Sequence, residues 1–401
     1  MPDIIMIRTS NHKNLEEFAL HSGVPIINGL SEQSHPCQIM SDILTFEELK
    51  GDIKGKTIAW LGDGNNNMSN SLIEAASKFS FKLNIGCPKN YKPKIGVIGT
   101  GGISDFHLKA YKECGWDVVA LHNRTKSKAE EKRDKFFPDA LVVDSHEEIL
   151  ENSEIDVLDI TPHPEDRIPI VRAALEAGKH ELSQKPFVLD LDVGQVLVDL
   201  ADRNGLKLAV NQNGRWAPHF SYIRNAIKEG LIGKVVSVDL SLQWDQTWIT
   251  GIESFESIHH LILYDFAVHW FDITNCFMSG QDPVSVYASA VRFKDQKFTP
   301  PAIASAVVNY SEAQANMSFN SHTLLGEEDV TTVVRTKGTL RSRGPGLNDQ
   351  PMMEVFTEEG ECKVPLEGNW FENGFQGTMG ELLCAIEEDR EPENSAKNNL
   401  S

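Results

Sequence analysis

The sequence predicts an α/β chain in which a doubly wound parallel sheet is followed by an α+β region with an open antiparallel sheet and preceded by a shorter, incomplete α/β block. Three observations carry that expectation. The segment Lys94-Ile-Gly-Val-Ile-Gly-Thr-Gly-Gly-Ile-Ser104 is an apolar strand running straight into a glycine turn that opens a helix. From Lys94 to about Val210 strand and helix patterns alternate, the rhythm of a parallel sheet with crossover helices. After Asn211 the chain changes to runs of β-branched residues with few helices between, which reads as an antiparallel sheet. The implied domains are 1–92, 93–210 and 211–401.

In the first block, strand-like Ile4–Ile7, Val24–Ile27, Thr57–Leu61 and Lys82–Ile85 alternate with helical patterns at Asn14–His21, Gln38–Leu49 and Ser69–Phe79. Pro88–Pro93 reads as a joint, because its prolines block regular pairing. In the second block a strand at Val118–Leu121 and helices at Ile168–Ala177 and Val193–Asp202 continue the alternation. The strands expected beyond Asn211 are Val235–Leu242, Val284–Val291, Ala302–Tyr310, Ala315–Phe319 and Val330–Thr336.

The chain has 401 residues, 40% hydrophobic and 24% charged, an ordinary folded composition with room for two or three domains. A formal charge of -20 argues against nucleic acid or an anionic membrane as partner, since both need a basic surface. The six cysteines (Cys37, Cys87, Cys114, Cys276, Cys362, Cys384) form no CxxC pair, so no zinc site or disulfide framework is expected and a reducing cytoplasm fits best. There is no run of eighteen apolar residues to span a bilayer.

The glycine turn has a definite chemistry. Gly99 permits the tight turn, while Gly101 lets the backbone approach a pyrophosphate held against the amide end of the following helix. Thr100, Gly102 and Ile103 complete the loop, and the third glycine position is Ser104. The next strand ends at Asn123, where an acid would hold the ribose hydroxyls of NAD. Asn123-Arg124-Thr125 instead offers an amide, a guanidinium and a hydroxyl suited to a 2'-phosphate, so NADP or NAD is expected. The plain alternative is that Arg124 is a solvated surface charge.

Two further stretches narrow the class. Ala173–Pro186 ends a helix at Gly178, passes a short strand and stops at Lys185-Pro186. In Asp265-Phe-Ala-Val-His269-Trp-Phe-Asp272, a helix would place Asp265, His269 and Asp272 at i, i+4 and i+7 on one face. Such a set is either a surface ion pair or part of an acid–base site. Asn211–Trp216 follows the last strand of the parallel sheet, so Asn213 and Arg215 are expected at the mouth of a ligand pocket; Arg215 has the alternative of bracing the joint. Trp244, Trp248, His259 and His260 either shape that pocket or belong to a packed loop.

From about Lys94 onward these residues resemble the Gfo/Idh/MocA oxidoreductases. The resemblance rests on Gly99-Thr100-Gly101, the Glu-Ala-Gly-Lys-His stretch at 176–180, Lys185-Pro186 and Asp265-x3-His269-x2-Asp272. The family's usual Glu-Lys-Pro is Gln184-Lys185-Pro186 here. The resemblance implies a Rossmann domain followed by a substrate domain, and hydride transfer between NADP or NAD and a sugar, cyclitol or related polyol. It also implies that Lys185, Asp265 and His269 face the substrate beside the nicotinamide, with Lys185 and Pro186 reaching the cofactor as well. On chemical grounds His269 is the general base, expected to titrate near neutrality, Lys185 hydrogen-bonds the reacting oxygen and Asp265 orients the pair. A homo-oligomer is expected and no metal. The chain ends where the family begins a closing helix, so a C-terminal truncation is expected.

The first ninety residues resemble ornithine carbamoyltransferase, through Ile7-Arg8-Thr9, Val24–Leu30, His35-Pro-Cys-Gln38 and Gly62-Asp-Gly-Asn-Asn66. In that family the Arg, His and Gln, here Arg8, His35 and Gln38, contact carbamoyl phosphate, and the asparagine matched by Asn66 helps hold ornithine. The family's Ser-Thr-Arg-Thr-Arg phosphate loop and its His-Cys-Leu-Pro loop are absent from these 401 residues. The block is therefore expected to be a vestigial transferase or a docking module. The purified chain should form no citrulline from ornithine and carbamoyl phosphate, because each lost charge-assisted contact costs about 1.5–3 kcal/mol; measurable citrulline would refute this.

Overall fold

The computed structural model describes residues 2–62, 64, 66–86 and 93–400. Asp63 and Asn65 of the Gly-Asp-Gly-Asn-Asn motif, Cys87 and most of the Pro88–Pro93 joint lie outside the described residues. The chain divides into two compact units, Met1–Lys92 and Pro93–Ser401.

In the first unit β1 (Ile5–Arg8) pairs in parallel with β2 (Ile26–Leu30), and β3 (Thr57–Leu61) with β4 (Lys82–Gly86). Helices His12–His21, Pro36–Lys50 and Asn67–Phe79 connect them, each begun by a residue the sequence makes suitable: Asn11 and Asn66 cap two of them, and Pro36 opens the third. Ile39, Ile43, Ile53, Leu72, Ala75 and Phe81 form a small core. Three of the strands, β1, β3 and β4, alternate between exposed and half-buried residues.

The second unit begins with six parallel strands: β5 (Lys94–Ile98), β6 (Asp117–His122), β7 (Leu141–Val142), β8 (Val157–Ile160), β9 (His180–Ser183) and β10 (Leu208–Val210). Their order, β10-β9-β8-β5-β6-β7, reverses direction between β5 and β8, the switch point where a doubly wound sheet leaves a crevice. Both faces are covered. Ile149, Val171, Leu175, Leu197 and Val198 pack on one side, and Leu108, Tyr111, Ala129 and Phe136 on the other. Central strands buried on both sides explain the unbroken apolar runs at Ile95–Ile98 and Val157–Ile160.

Beyond Asn211 the chain builds one eight-stranded sheet from β11 (Val235–Gln243), β12 (Pro283–Val291), β13 (Ile303–Tyr310), β14 (Gln314–Asn320), β15 (Glu328–Arg335), β16 (Gly338–Gly344), β17 (Met352–Thr357) and β18 (Gly360–Pro365). The order is β12-β13-β14-β11-β15-β16-β17-β18. The antiparallel sheet that the sequence suggested is present, with one parallel pair in it, β11 and β14. One face packs on Phe220, Trp270, Phe277 and Trp370 from the helices Pro218–Lys228, Val268–Phe277 and Trp370–Glu387.

That last helix serves both sheets, because its Phe375, Met379 and Leu382 also enter the core of the parallel sheet. It lies against the 3-10 turn Asn213–Trp216 so closely that a Cβ on Gly377 would fall 2.1 Å from the Trp216 ring. Within the turn Arg215 is buried and paired with Asp272: Nε donates to Oδ2 at 2.7 Å and Nη2 to Oδ1 at 2.5 Å. Arg215 also donates to the Glu393 carbonyl and to Asn398 Oδ1, tying the C-terminal stretch to the same knot. Leu400, from the closing helical turn Ala396–Leu400, packs against Gly194. Removing one member of a buried pair leaves the other charge uncompensated. Arg215→Ala and Asp272→Ala should each lower stability by about 3–5 kcal/mol in urea unfolding, with the double variant losing far less than the sum; losses below about 1 kcal/mol would contradict a buried brace.

Candidate active site

The crevice at the switch point opens into a cavity of about 1030 Å³. One end is the glycine loop. Gly99 has φ 95° and a Cβ there would strike Thr161 Oγ1 at 2.5 Å, so only glycine lets the loops after β5 and β8 meet. Gly101 and Gly102 face open space, and Ser104 Oγ donates to the Gly101 carbonyl at 2.7 Å, shaping the entry to the helix Ser104–Glu113. A backbone with room beside it at a helix N-terminus fits a pyrophosphate. Gly99, Gly101, Gly102 and Ile103 line the cavity; Thr100 is buried beneath it.

At the end of β6, Asn123 lines the same cavity, but its Oδ1 accepts the Thr100 amide at 3.0 Å and its Nδ2 donates to the Thr125 carbonyl at 3.1 Å. Its amide therefore locks the glycine loop to β6, where the sequence suggested a group for a 2'-phosphate. Arg124 is 86% exposed and 3.2 Å from Asp166 Oδ2, a surface pair with little hold on it. Lys128 and His146 line this end too.

At the other end stand Lys185, Pro186, Asn213, Asp265 and His269. Lys185 follows β9, and its Nζ donates to the Asp265 carbonyl at 2.7 Å and lies 3.3 Å from Asp265 Oδ2. Asn213 Oδ1 accepts from Trp370 Nε1 at 3.1 Å. The expected single helical face at 265–272 is corrected: Ile262–Phe266 is a π-helical turn, closed by Ala267 N–H to Ile262 O at 2.6 Å, and the α-helix starts at Val268. The extra residue in that turn sends Asp265 to Lys185, while Asp272 turns to Arg215. With both carboxylates engaged elsewhere, burial and the Lys185 charge push the His269 imidazole well below its ordinary value, against the near-neutral titration the sequence suggested. Its Nδ1 is buried without a partner, which leaves Nε2 for a substrate.

Arg215 is not among the lining residues; with its donors spent on Asp272, Glu393 and Asn398 it acts as the brace, and its assignment to substrate binding is corrected. Trp248 does line the cavity, Trp244 belongs to the core, and His259 and His260 are exposed outside it. Sequence reasoning missed Arg167, which lines the cavity and donates to the carbonyls of Pro162 at 2.6 Å, Pro186 and Phe187, clamping the turn that carries Lys185. Nothing marks it in the sequence beyond an arginine soon after Pro164. It also missed Phe371 and Phe375 on the helix Trp370–Glu387, which join Trp248, Phe255, Phe266 and Trp370 in a largely aromatic wall.

In the first unit three of the residues matched to carbamoyl phosphate or ornithine binding are occupied locally or exposed. Asn66 Oδ1 accepts the amides of Met68 and Ser69, Gln38 Nε2 donates to Asp42 at 2.9 Å, and Arg8 is exposed at the end of β1. The His35 amide donates to Ser71 Oγ at 2.7 Å while its Nδ1 is buried without a partner. Among the described residues no cluster of His, Cys, Asp and Glu could hold a metal ion, and no helix is long and apolar enough to cross a membrane.

Known proteins repeat this division. Residues 93–212 match the oxidoreductase family with NAD-binding Rossmann fold, 220–341 match the Gfo/Idh/MocA C-terminal domain, and 1–48 match the carbamoyl-P binding domain of aspartate/ornithine carbamoyltransferase. The anabolic ornithine carbamoyltransferase of Pseudomonas aeruginosa is 56% identical over 102 residues, 25% of this chain and 33% of that protein. The chain thus spans about a third of the length of such curated relatives. Among solved structures, an Agrobacterium radiobacter oxidoreductase in complex with NAD+, L-tartaric acid and magnesium superposes with TM-score 0.69 at 18% identity, covering 77% of this chain and 92% of that one. Levoglucosan dehydrogenase with NADH and levoglucosan gives 0.67 at 16%, covering 77% and 94%. The WlbA dehydrogenase of Bordetella pertussis with NADH and UDP-GlcNAcA gives 0.64 at 17%, covering 77% and 92%. The N-terminal block is similar to a segment of ornithine carbamoyltransferase, and through residues 93–341, more than half its length, the chain belongs to the Gfo/Idh/MocA oxidoreductase family.

Proposed function

We propose that the chain is an NAD(P)-dependent oxidoreductase that moves a hydride between the nicotinamide and a carbinol carbon of a sugar, cyclitol or related polyol. The observation that carries this reading is the meeting of Lys185, Asp265 and His269 in one cavity whose far end is an open glycine loop. The sugar-type ligands of the superposing proteins support the substrate class. Reduced-cofactor formation against a panel of polyols tests it, and silence across the panel with both cofactors would count against it.

The nicotinamide, when bound, supplies the hydride acceptor, and Gly99–Ile103 would hold its pyrophosphate. The chain's own task is the proton. As hydride leaves the carbinol carbon, the hydroxyl proton must depart, and neutral His269 accepts it at Nε2. Lys185 Nζ hydrogen-bonds the oxygen on which charge develops, and Asp265 keeps that ammonium in place from its carbonyl and its carboxylate. Aromatic walls exclude water around the ion pair and offer faces on which sugar C–H groups can stack. Free cysteines among the described residues support a reducing cytoplasmic setting. The exposed Val284, Val286 and Tyr287 on edge strand β12 support a homo-oligomer. For the N-terminal block we favour a docking module over a vestigial transferase, because Gln38 and Asn66 already spend their side chains locally.

Two outcomes follow from this arrangement. His269→Ala should cut turnover by roughly 10²–10⁴-fold while leaving cofactor affinity within about twofold of wild type, since the phosphates sit at the other end of the cavity. Because the base is already deprotonated above its lowered value, the acidic limb of kcat/KM should lie below about pH 6.5, the ordinary imidazole value. Near-normal turnover in the variant with an unchanged acidic limb would move the base to Lys185. At the adenosine end, NADP should bind at least as tightly as NAD, the 2'-phosphate displacing Asp166 from Arg124. Arg124→Ala combined with Asn123→Asp should swing preference toward NAD by about tenfold or more, roughly 1.4 kcal/mol; an unchanged ratio of dissociation constants would show that this strand end does not read the ribose.

A further inference from the structure

Behind Lys185 lies a fully buried polar chain that the proposed reaction does not use. Tyr111 and His107, on the helix after the glycine loop, both reach Asp159 of β8: Tyr111 Oη donates to Asp159 Oδ2 at 2.9 Å, and His107 Nδ1 lies 2.8 Å from the same oxygen. On its other side His107 Nε2 is 3.3 Å from Gln184 Nε2 and 3.2 Å from Asn211 Nδ2. Gln184 Oε1 accepts the Lys185 backbone amide at 2.7 Å and Asn211 Nδ2 at 3.2 Å. His107, Asp159, Gln184 and Asn211 are at most 7% exposed, and the Phe375 ring lies against the imidazole with centroids 4.5 Å apart.

The direction of every bond in this chain is set from one end. A backbone N–H can only donate, so the Lys185 amide requires the oxygen of Gln184 to face it. The NH2 of Gln184 then faces His107, whose Nε2 must be the accepting, unprotonated nitrogen. Its proton sits on Nδ1, directed to Asp159. Reversing the Gln184 amide would place two donors nose to nose at Lys185, so the orientation does not depend on how the carboxamide is assigned.

We infer that Gln184 is a positioning residue for Lys185, and that it does this by locking His107 as the neutral Nδ1–H tautomer between Asp159 and its own side chain. The inference rests on the reading of Lys185 as the group that holds the reacting oxygen. A carboxylate at 184 would present acceptors on both sides and could join the chain only with one further proton, carried by its own buried carboxyl or by His107. A glutamine needs no such proton, and the turn bearing Lys185 keeps one geometry. Asp159 Oδ1 and Asn211 Oδ1 have no partner, so the chain is anchored only through the bonds just given.

Two measurements on the full chain test this separately. Imidazole nitrogen spectra of histidine-labelled protein at neutral pH, assigned by loss of the signal in His107→Phe, should show the Nδ1–H form of His107, with Nε2 unprotonated, in wild type. That readout needs no substrate, so its failure is distinct from failure of the oxidoreductase reading. An Nε2–H tautomer or a doubly protonated ring in wild type overturns the inference. In turnover, Gln184→Met, which keeps the volume and removes both polar ends, should lower kcat about tenfold with cofactor affinity unchanged, and Gln184→Glu should recover part of that loss. Wild-type kcat in Gln184→Met would show that the glutamine does not position Lys185.

Discussion

The contact between Lys185 and Asp265 is the one on which the site depends. Lys185 leaves the parallel sheet after β9, and Asp265 belongs to the π-helical turn before the helix Val268–Phe277 under the mixed sheet. Two bonds from one ammonium, to the Asp265 carbonyl and to its carboxylate, draw the two layers together at the place where the cavity is deepest in polar groups. Each side of that contact is then held from behind. Arg167 clamps the carbonyls of Pro162, Pro186 and Phe187, Gln184 holds the Lys185 amide, and Arg215 with Asp272 ties the catalytic helix to the turn Asn213–Trp216. Catalytic groups need positional accuracy that neither sheet supplies alone, and the buried polar bonds provide it.

The same logic accounts for how the cavity divides its labour. The end at Gly99–Ile103 is built from glycines, an asparagine that locks a loop and an exposed arginine paired with Asp166. The end at Lys185 is lined largely by aromatic rings and holds a neutral imidazole beside an ammonium. A base that stays neutral next to a cation fits proton transfer from a hydroxyl, since the ammonium stabilises the oxygen that the departing proton leaves behind.

Much of this was legible in the sequence, for reasons that differ by element. The strand into Gly99 and the alternation through Val210 follow from burial on both faces of a parallel sheet, which writes itself as continuous apolar runs. Lys185, Asp265 and His269 were legible from the family resemblance. The π-turn was not: one inserted residue leaves the hydrophobic pattern of 262–272 looking like a regular helix, yet it redirects Asp265 and separates it from Asp272. Arg215 was misplaced because a guanidinium after the last strand of a doubly wound sheet reads equally as a ligand group or a brace, and only the three-dimensional positions of Asp272, Glu393 and Asn398 decide. Strands β16 to β18, with glycines and alternating charges, and the long helix Trp370–Glu387 carry weaker local patterns, and the helix owes part of its burial to the parallel sheet.

The central claim is that the dinucleotide held at Gly99–Ile103 brings its nicotinamide to His269. The most direct measurement is the nuclear Overhauser effect between the nicotinamide ring protons and the His269 imidazole in the complex of the full chain with reduced cofactor, with His269→Ala as the control for assignment. Cross-peaks present in wild type and lost in the variant are the predicted result. A cofactor that binds with the same affinity in both proteins yet shows no contact with His269 in wild type would contradict the account.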